Sequence, residues 1–275
     1  MIDAHIHLSD NRFYTDEKEI IRQAEKNGVN DFFCVSSEPM EWHNVLALSG
    51  KYKNIRPFIG THPWYASKHD PDLFKTLLSN SAFINVGEIG LDTIKGESGQ
   101  ENVFENQLNI AAELNRPCVI HCVKSFDAMA AILKNLKKRP PALLFHGYSG
   151  TIQQAVFLMR FNAYFSFSGN LLYPDKRKLQ SVFTAIPENR LLIETDAPYM
   201  LPPEKFRFIK DEERNLPVNL PLIIQELAKI RKMDSSILIP LLRQNAERFL
   251  NSNSEEQSNE TNYSSTPCYV KHREQ

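Results

Sequence analysis

A (β/α)8 barrel, the TIM-type α/β fold, is what this sequence predicts, on three observations. Eight short apolar runs recur along the chain, each separated from the next by a segment of helical periodicity. The runs are almost continuously hydrophobic, which suits parallel strands covered on both faces rather than a half-exposed sheet. The alternation fills about 250 residues, a length that closes into a barrel more economically than it spreads into an open doubly wound sheet.

Taken in order, "MIDAHI" supplies the first strand from Ile2. "TDEKEIIRQAEKNG" follows as a helix, with Thr15 as its N-cap candidate, Gly28 as its stop and Ile20, Ile21 and Ala24 on one face. "DFFCVS" from Asp31 and "IRPFIG" from Ile55 are strands two and three. "AFINVGEIG" from Ala82 is strand four, with Glu88 at its end in a glycine-flanked turn towards the next helix. "PCVIHC" from Pro117 is strand five. The helix after it opens at Ser125 and spaces Phe126, Met129, Ile132, Leu133 and Leu136 along one side. "ALLFHG" from Ala142 is strand six, and the helix "TIQQAVFLM" starts at Thr151. "AYFSFSG" from Ala163 and "LLIETD" from Leu191 complete the eight.

No composition break divides residues 1–250, so they are expected to form one barrel domain. From Asn251 the chain is rich in Asn, Ser and Glu. Such a segment cannot repay its ordering entropy, and residues 251–275 are expected to be a flexible polar tail.

Composition excludes several classes of function. A formal net charge of −1 and a pI of 6.7 give no global basic field for non-specific nucleic-acid adhesion. The four cysteines, Cys34, Cys118, Cys122 and Cys268, lack C-x-x-C spacing and read as free thiols in a reducing compartment. The start carries no basic and apolar leader, and no apolar run is long enough to span a bilayer. The expectation is a soluble cytoplasmic protein with no membrane association and no obligate protein partner.

The chemistry sits at the strand ends. In a strand, side chains alternate faces, so His5 and His7 point the same way and can converge on one ion. His5 and His7 end strand 1, Glu88 strand 4, His121 strand 5 and His146 strand 6, while Asp196 follows strand 8. All belong to the C-terminal face, where barrel active sites are built, and only closure of the sheet brings strand 8 beside strand 1. Four imidazoles and two carboxylates exceed what one tetrahedral zinc uses and suit two divalent ions (Zn²⁺, Mn²⁺, Ni²⁺ or Mg²⁺). His5, His7 and Asp196 would serve one ion and His121 and His146 the other, with Glu88 as the bridge. Two dications against two carboxylates leave local positive charge that attracts an anion. They also bring the pKa of bound water from about 15.7 towards 7, and Asp196 is the candidate general base.

The ordered set "DAHIHL", "GEIGLD", "IHC", "FHGYSG", "LLIETDAPYM", "RNLPVNLPLI" and "NAERFL" resembles the TatD family of metal-dependent hydrolases and deoxyribonucleases, within the amidohydrolase-type metallo-barrels. The resemblance spans residues 1–250 and implies a divalent metal site at His5, His7, Glu88, His121, His146 and Asp196. It makes DNA the expected substrate, cut at its phosphodiester bonds by two metals. The family continues "GEIGLD" with an aromatic residue where this chain has Thr93, which changes the substrate wall there.

Around the rim, His62 is a candidate donor to a scissile phosphate, Trp64 and Tyr65 are candidate base-stacking surfaces, and Lys124, Lys176, Arg177 and Arg207 are candidate phosphate contacts. Asp92 is a candidate for orienting a ligand, Asn215 and Asn219 for lining the site or capping a helix, and Cys122 for a buried thiol facing away from it. His43, His69 and His272 read as surface residues. Two rivals stand beside the nuclease: an amide, lactone or ester hydrolase using the same metals in a closed pocket, and a non-catalytic protein that keeps the metal for stability.

Overall fold

The computed structural model describes residues 1–209 and 213–252; the polar tail from residue 253 onward, with Cys268 and His272, lies outside the described residues. Strands β1 (Ile2–Ile6), β2 (Asp31–Val35), β3 (Ile55–Ile59), β4 (Asn85–Asp92), β5 (Cys118–Val123), β6 (Leu143–Phe145), β7 (Ala163–Phe167) and β8 (Leu191–Ile193) form one sheet in the order of the chain. Each successive pair is parallel. Helices α1 (Glu17–Lys26), α2 (Trp42–Lys51), α3 (Pro71–Asn80), α4 (Gln100–Glu113), α5 (Phe126–Asn135), α6 (Ile152–Met159) and α7 (Arg177–Ala185) fill the connections. After β8 come α8 (Leu220–Ile230) and α9 (Ser235–Leu250). Among the described residues no helix is long and apolar enough to cross a membrane.

The ring is closed by groups of β1 and the segment after β8. Asp196 N–H donates to the His5 carbonyl at 3.0 Å, and His7 N–H donates to the Ala197 carbonyl at 2.9 Å. Below them Asp3, fully buried, accepts from Thr195 through the backbone N–H at 2.9 Å and through the hydroxyl. β1 and the residue that follows it therefore carry both closing bonds and two of the expected ligands.

Inside the ring, Phe33, Phe58, Val119, Leu144, Tyr164 and Leu192 pack with Ala246 and Phe249 of α9. Phe249 stacks on Phe58 with ring centres 6.2 Å apart and meets Tyr164 edge-on at 5.7 Å. Asn245 anchors the same helix by donating to the carbonyls of Glu188 and Leu191 at 2.7 and 2.8 Å. α9 thus plugs the end of the barrel where the strands begin, and leaves the polar strand ends on the other side.

Local expectations hold with two changes. Thr151 caps α6 in a reciprocal box with Gln154, and Gly28 ends α1 with a φ of +85°. Thr15 is not the cap of α1, which starts at Glu17; Asp16 precedes it and instead accepts from Arg214 at 2.9 Å. Asn219 stands before α8 but makes no capping bond.

Two strand pairs are irregular, and they carry the chemistry. The β1–β2 register shifts between Asp3 and Ile6, and the β4–β5 register shifts between Val86 and Ile89. These shifts bracket His5 and Glu88. A bulge breaks the strict alternation of faces and re-aims side chains, which is why such irregularities collect beside active sites.

Candidate metal centre

The six residues expected at the strand ends meet in one buried cluster. His5 lies within β1 and His7 one residue past it; His146 directly follows β6, and Asp196 follows β8 by three residues. Glu88 is placed differently from the sequence expectation: it stands inside β4, which runs on to Asp92, and not in a turn. The register shift lets β4 continue past it. His121 likewise lies within β5, two residues before its end.

The first half of the cluster has the spacing of a cation site. His5 Nε2 and His7 Nε2 are 3.2 Å apart. His5 Nε2 lies 3.5 Å from both Glu88 Oε2 and Asp196 Oδ1, and His7 Nε2 lies 3.6 and 3.4 Å from the same two oxygens. Donor atoms about 2.1 Å from a shared tetrahedral centre are separated by about 3.4 Å, so this donor set fits a divalent ion. In the second half, Glu88 Oε1 is 2.8 Å from His121 Nδ1 and 2.7 Å from His146 Nε2, and those nitrogens are 3.3 Å apart. The spacing to Glu88 is that of hydrogen bonds, and the donor set of two imidazoles and a carboxylate is again one for a divalent ion. Groups able to hold an ion include His5–His7–Asp196 and His62–Glu88–His121.

The electrostatics are those of a buried anion pair seeking positive charge. Burial opposes ionisation of Glu88, yet His146, His62 and His121 hold its carboxyl well below the usual range. Asp196 is also held down, chiefly by the His7 hydrogen bond and by His5, against burial. Burial works against a proton on His146, but Glu88 and Glu194 keep its pKa well above the ordinary value. Burial and the neighbouring His146 push His5 down.

His62, three residues past β3, reaches the same carboxylate: its Nε2 is 3.4 Å from Glu88 Oε1. Its Nδ1 accepts from Trp64 N–H at 3.2 Å. Burial pushes its pKa down to about 4, so the ring is neutral at pH 7 and its proton sits on Nε2. His62 is therefore a donor into the cluster in this arrangement. Asp92 accepts from the Trp64 indole at 2.7 Å and lies 3.4 Å from His121 Nε2, which orients that ring. The Trp64 face is covered by Lys95, whose Nζ is 4.7 Å from the ring centre.

A cleft of about 610 Å³ opens beside His146, lined by Thr93, Cys122, Lys124, Phe126, Tyr148 and Ser149. Thr93 donates its hydroxyl to the Lys124 carbonyl at 3.1 Å, bracing that residue at a φ of +54°. Cys122 is only half-buried and lines this cleft, where a fully buried thiol was expected. Lys176 pairs with Asp175 at 3.3 Å and Arg177 opens α7. Arg207 Nε donates to the Pro202 carbonyl at 2.9 Å, in the loop after β8. His69 is half-buried and bonded to Thr61 rather than free on the surface.

Asn215 and Asn219 brace the Asp196 loop and do not line the cluster. Asn215 Nδ2 donates to the carbonyls of Thr195 and Met200 at 2.7 and 3.2 Å, and its oxygen accepts from Asn219 at 2.9 Å. Asp196 itself adopts a φ of +56°, a conformation its surroundings must hold. Replacing Asn215 by alanine strands the buried Thr195 carbonyl and removes a second bond, to the Met200 carbonyl. The expected cost is about 2–3 kcal/mol, seen as a fall in melting temperature of roughly 5–10 °C.

Three supporting side chains escaped the sequence reading: Asp3, Ser37 and Glu194. Asp3 and Glu194 each stand two residues before an expected ligand, so strand alternation was the signal that pointed to them. Ser37 Oγ lies 3.4 Å from His7 Nδ1, and nothing in the local sequence announces it.

Residues 2–251 match the family described as TatD-related DNase. The chain belongs to that family. It is 29% identical over 259 residues to the uncharacterized metal-dependent hydrolase YabD of Bacillus subtilis, across 92% of this chain and 100% of the relative. It is 30% identical over 257 residues to the 3'-5' ssDNA/RNA exonuclease TatD of Citrobacter rodentium, across 90% of this chain and 97% of the relative. The crystal structure of YJJV, a TatD homologue from Escherichia coli K12, superposes with a TM-score of 0.82 at 26% identity, covering 92% of this chain and 98% of that one. As a TatD protein this chain is a metal-dependent hydrolase acting on ester bonds, with His, Asp and Glu clusters able to hold metal ions.

Proposed function

We propose that this TatD protein hydrolyses phosphodiester bonds in single-stranded nucleic acid, DNA foremost, at a centre for two divalent ions held by His5, His7, Glu88, His121, His146 and Asp196. One observation carries the reading: Glu88 turns Oε2 towards His5 and His7 and Oε1 towards His121 and His146, so a single carboxylate serves two adjacent donor sets. When bound, the ions (Zn²⁺, Mn²⁺, Ni²⁺ or Mg²⁺) lower the pKa of water and neutralise charge on the phosphate.

The chain's own groups do the rest. Asp196, ionised at neutral pH, accepts the proton of the attacking water. His62 directs its Nε2 proton at a phosphate oxygen. Lys124 at the mouth of the cleft, with Arg207 in the loop after β8, steers the polyanion; Trp64 presents its ring edge and its Lys95 partner to the strand. A rim of cations and aromatics favours nucleic acid over the closed apolar pocket that a small amide or lactone would need. The free thiols of Cys34, Cys118 and Cys122 favour a cytoplasmic setting, and the barrel of residues 1–250 carries the activity as one domain.

The test is incubation of the purified protein with end-labelled single-stranded DNA and RNA in Mg²⁺, Mn²⁺ or Zn²⁺. Shortening of the strand supports the reading. No cleavage with any divalent ion, alongside turnover of a small ester or amide, overturns it. Lys124→Ala is expected to raise KM about tenfold with little change in kcat, the loss of one charge-assisted contact.

A further inference from the structure

Each histidine of the centre has one ring nitrogen facing inward and one facing out, and three of the outward nitrogens are met by a partner that orients the ring. His7 Nδ1 is met by Ser37, His121 Nε2 by Asp92 and His62 Nδ1 by the Trp64 N–H. His5 Nδ1 and His146 Nδ1 are buried and have no hydrogen-bond partner. The two rings are stacked, 3.9 Å between centres and 8° from parallel.

One carboxylate stands behind them. Glu194 is fully buried. Its Oε1 accepts from Gly147 N–H at 2.7 Å and lies 3.7 Å from His146 Nδ1, while its Oε2 accepts from the Ser166 hydroxyl. A nitrogen of His5, a nitrogen of His146 and an oxygen of Glu194 come within 4.8 Å of one another. Gly147 follows β6, Ser166 lies in β7 and Glu194 follows β8, so three neighbouring strands fix the carboxylate in place.

We infer that Glu194 is a positioning residue that fixes the His146 ring and, through the His5–His146 stack, holds the two halves of the centre in register. The inference rests on the reading of these histidines as cation ligands. A ring that offers its Nε2 lone pair to a cation must carry its proton on Nδ1, and the cation makes that N–H a stronger donor. The anion at 3.7 Å is the acceptor it turns to. Glu194 touches neither substrate nor reacting atoms; it acts through His146.

The experiment compares wild type with Glu194→Gln and Ser166→Ala, using Zn²⁺ alone in calorimetric titration and ¹⁵N spectra of histidine-labelled protein before and after zinc. Glu194→Gln keeps the shape and removes the charge. It is expected to weaken zinc binding about 10- to 100-fold and to shift the His146 Nδ1 resonance. Ser166→Ala leaves the charge but frees one oxygen, and is expected to move the same resonance with a smaller loss of affinity. Zinc affinity and His146 resonances unchanged in both variants overturn the inference alone. Wild-type protein that takes up no divalent cation overturns the metal reading, and this inference with it.

Discussion

Glu88→Gln is expected to abolish phosphodiester hydrolysis, lowering kcat by about 10³-fold or more at saturating divalent ion. The argument is geometric. Both oxygens of Glu88 are in use, one on each donor set. An amide keeps the shape but puts an NH2 group against two imidazoles on one side, and removes the charge that balances the cations on both. Metal-ion catalysis supplies several kcal/mol of stabilisation, and each 1.36 kcal/mol is a factor of ten in rate. Elemental analysis of the dialysed variant should give fewer bound ions per chain than wild type. Circular dichroism should show the same fold, because the barrel closes through Asp3, His5, His7 and the Thr195–Ala197 segment and not through Glu88. A variant that keeps wild-type kcat and ion content would falsify the bridging role.

Gly90→Ala carries the second large effect, this time on stability. Gly90 has a φ of +154°, and a Cβ built there falls 1.9 Å from the His121 carbonyl oxygen and 2.7 Å from its carbonyl carbon. Both atoms are backbone, so nothing flexible can yield. The β4–β5 pair must part at the level of the centre, taking His121 away from Glu88. The expected cost is about 3 kcal/mol or more, a drop of roughly 10 °C in melting temperature, together with weakened cation binding. Gly99→Ala is the control. Its φ is +82° but the added carbon meets nothing within 4 Å, so it costs only about 1 kcal/mol of backbone strain.

These two residues also show how far the sequence could be read. Eight apolar runs gave the strand order because a parallel sheet covered on both faces has no alternating signal to confuse it, and the alternation within "DAHIH" anticipated that His5 and His7 turn their Nε2 atoms to the same side, 3.2 Å apart. The position of Glu88 within its element was misjudged. Two glycines beside a carboxylate look like a turn, and they serve instead to let β4 slip in register while β5 approaches closely at Gly90. The burial of Cys122 was also misjudged, because the thiol lies where the cleft beside His146 opens, and alternation of faces alone does not report that opening. Ser37 was missed because it acts on a partner from another strand, which leaves no mark in local sequence, while Glu194 left only its place two residues before Asp196 as a signal.

Phe249 and the rest of α9 seal the barrel where its strands begin, and that seal sets the traffic through the enzyme. Whatever enters at the far mouth must leave by the same doorway. Substrate and product of the proposed hydrolysis therefore share one route, and the centre is reached from one side only.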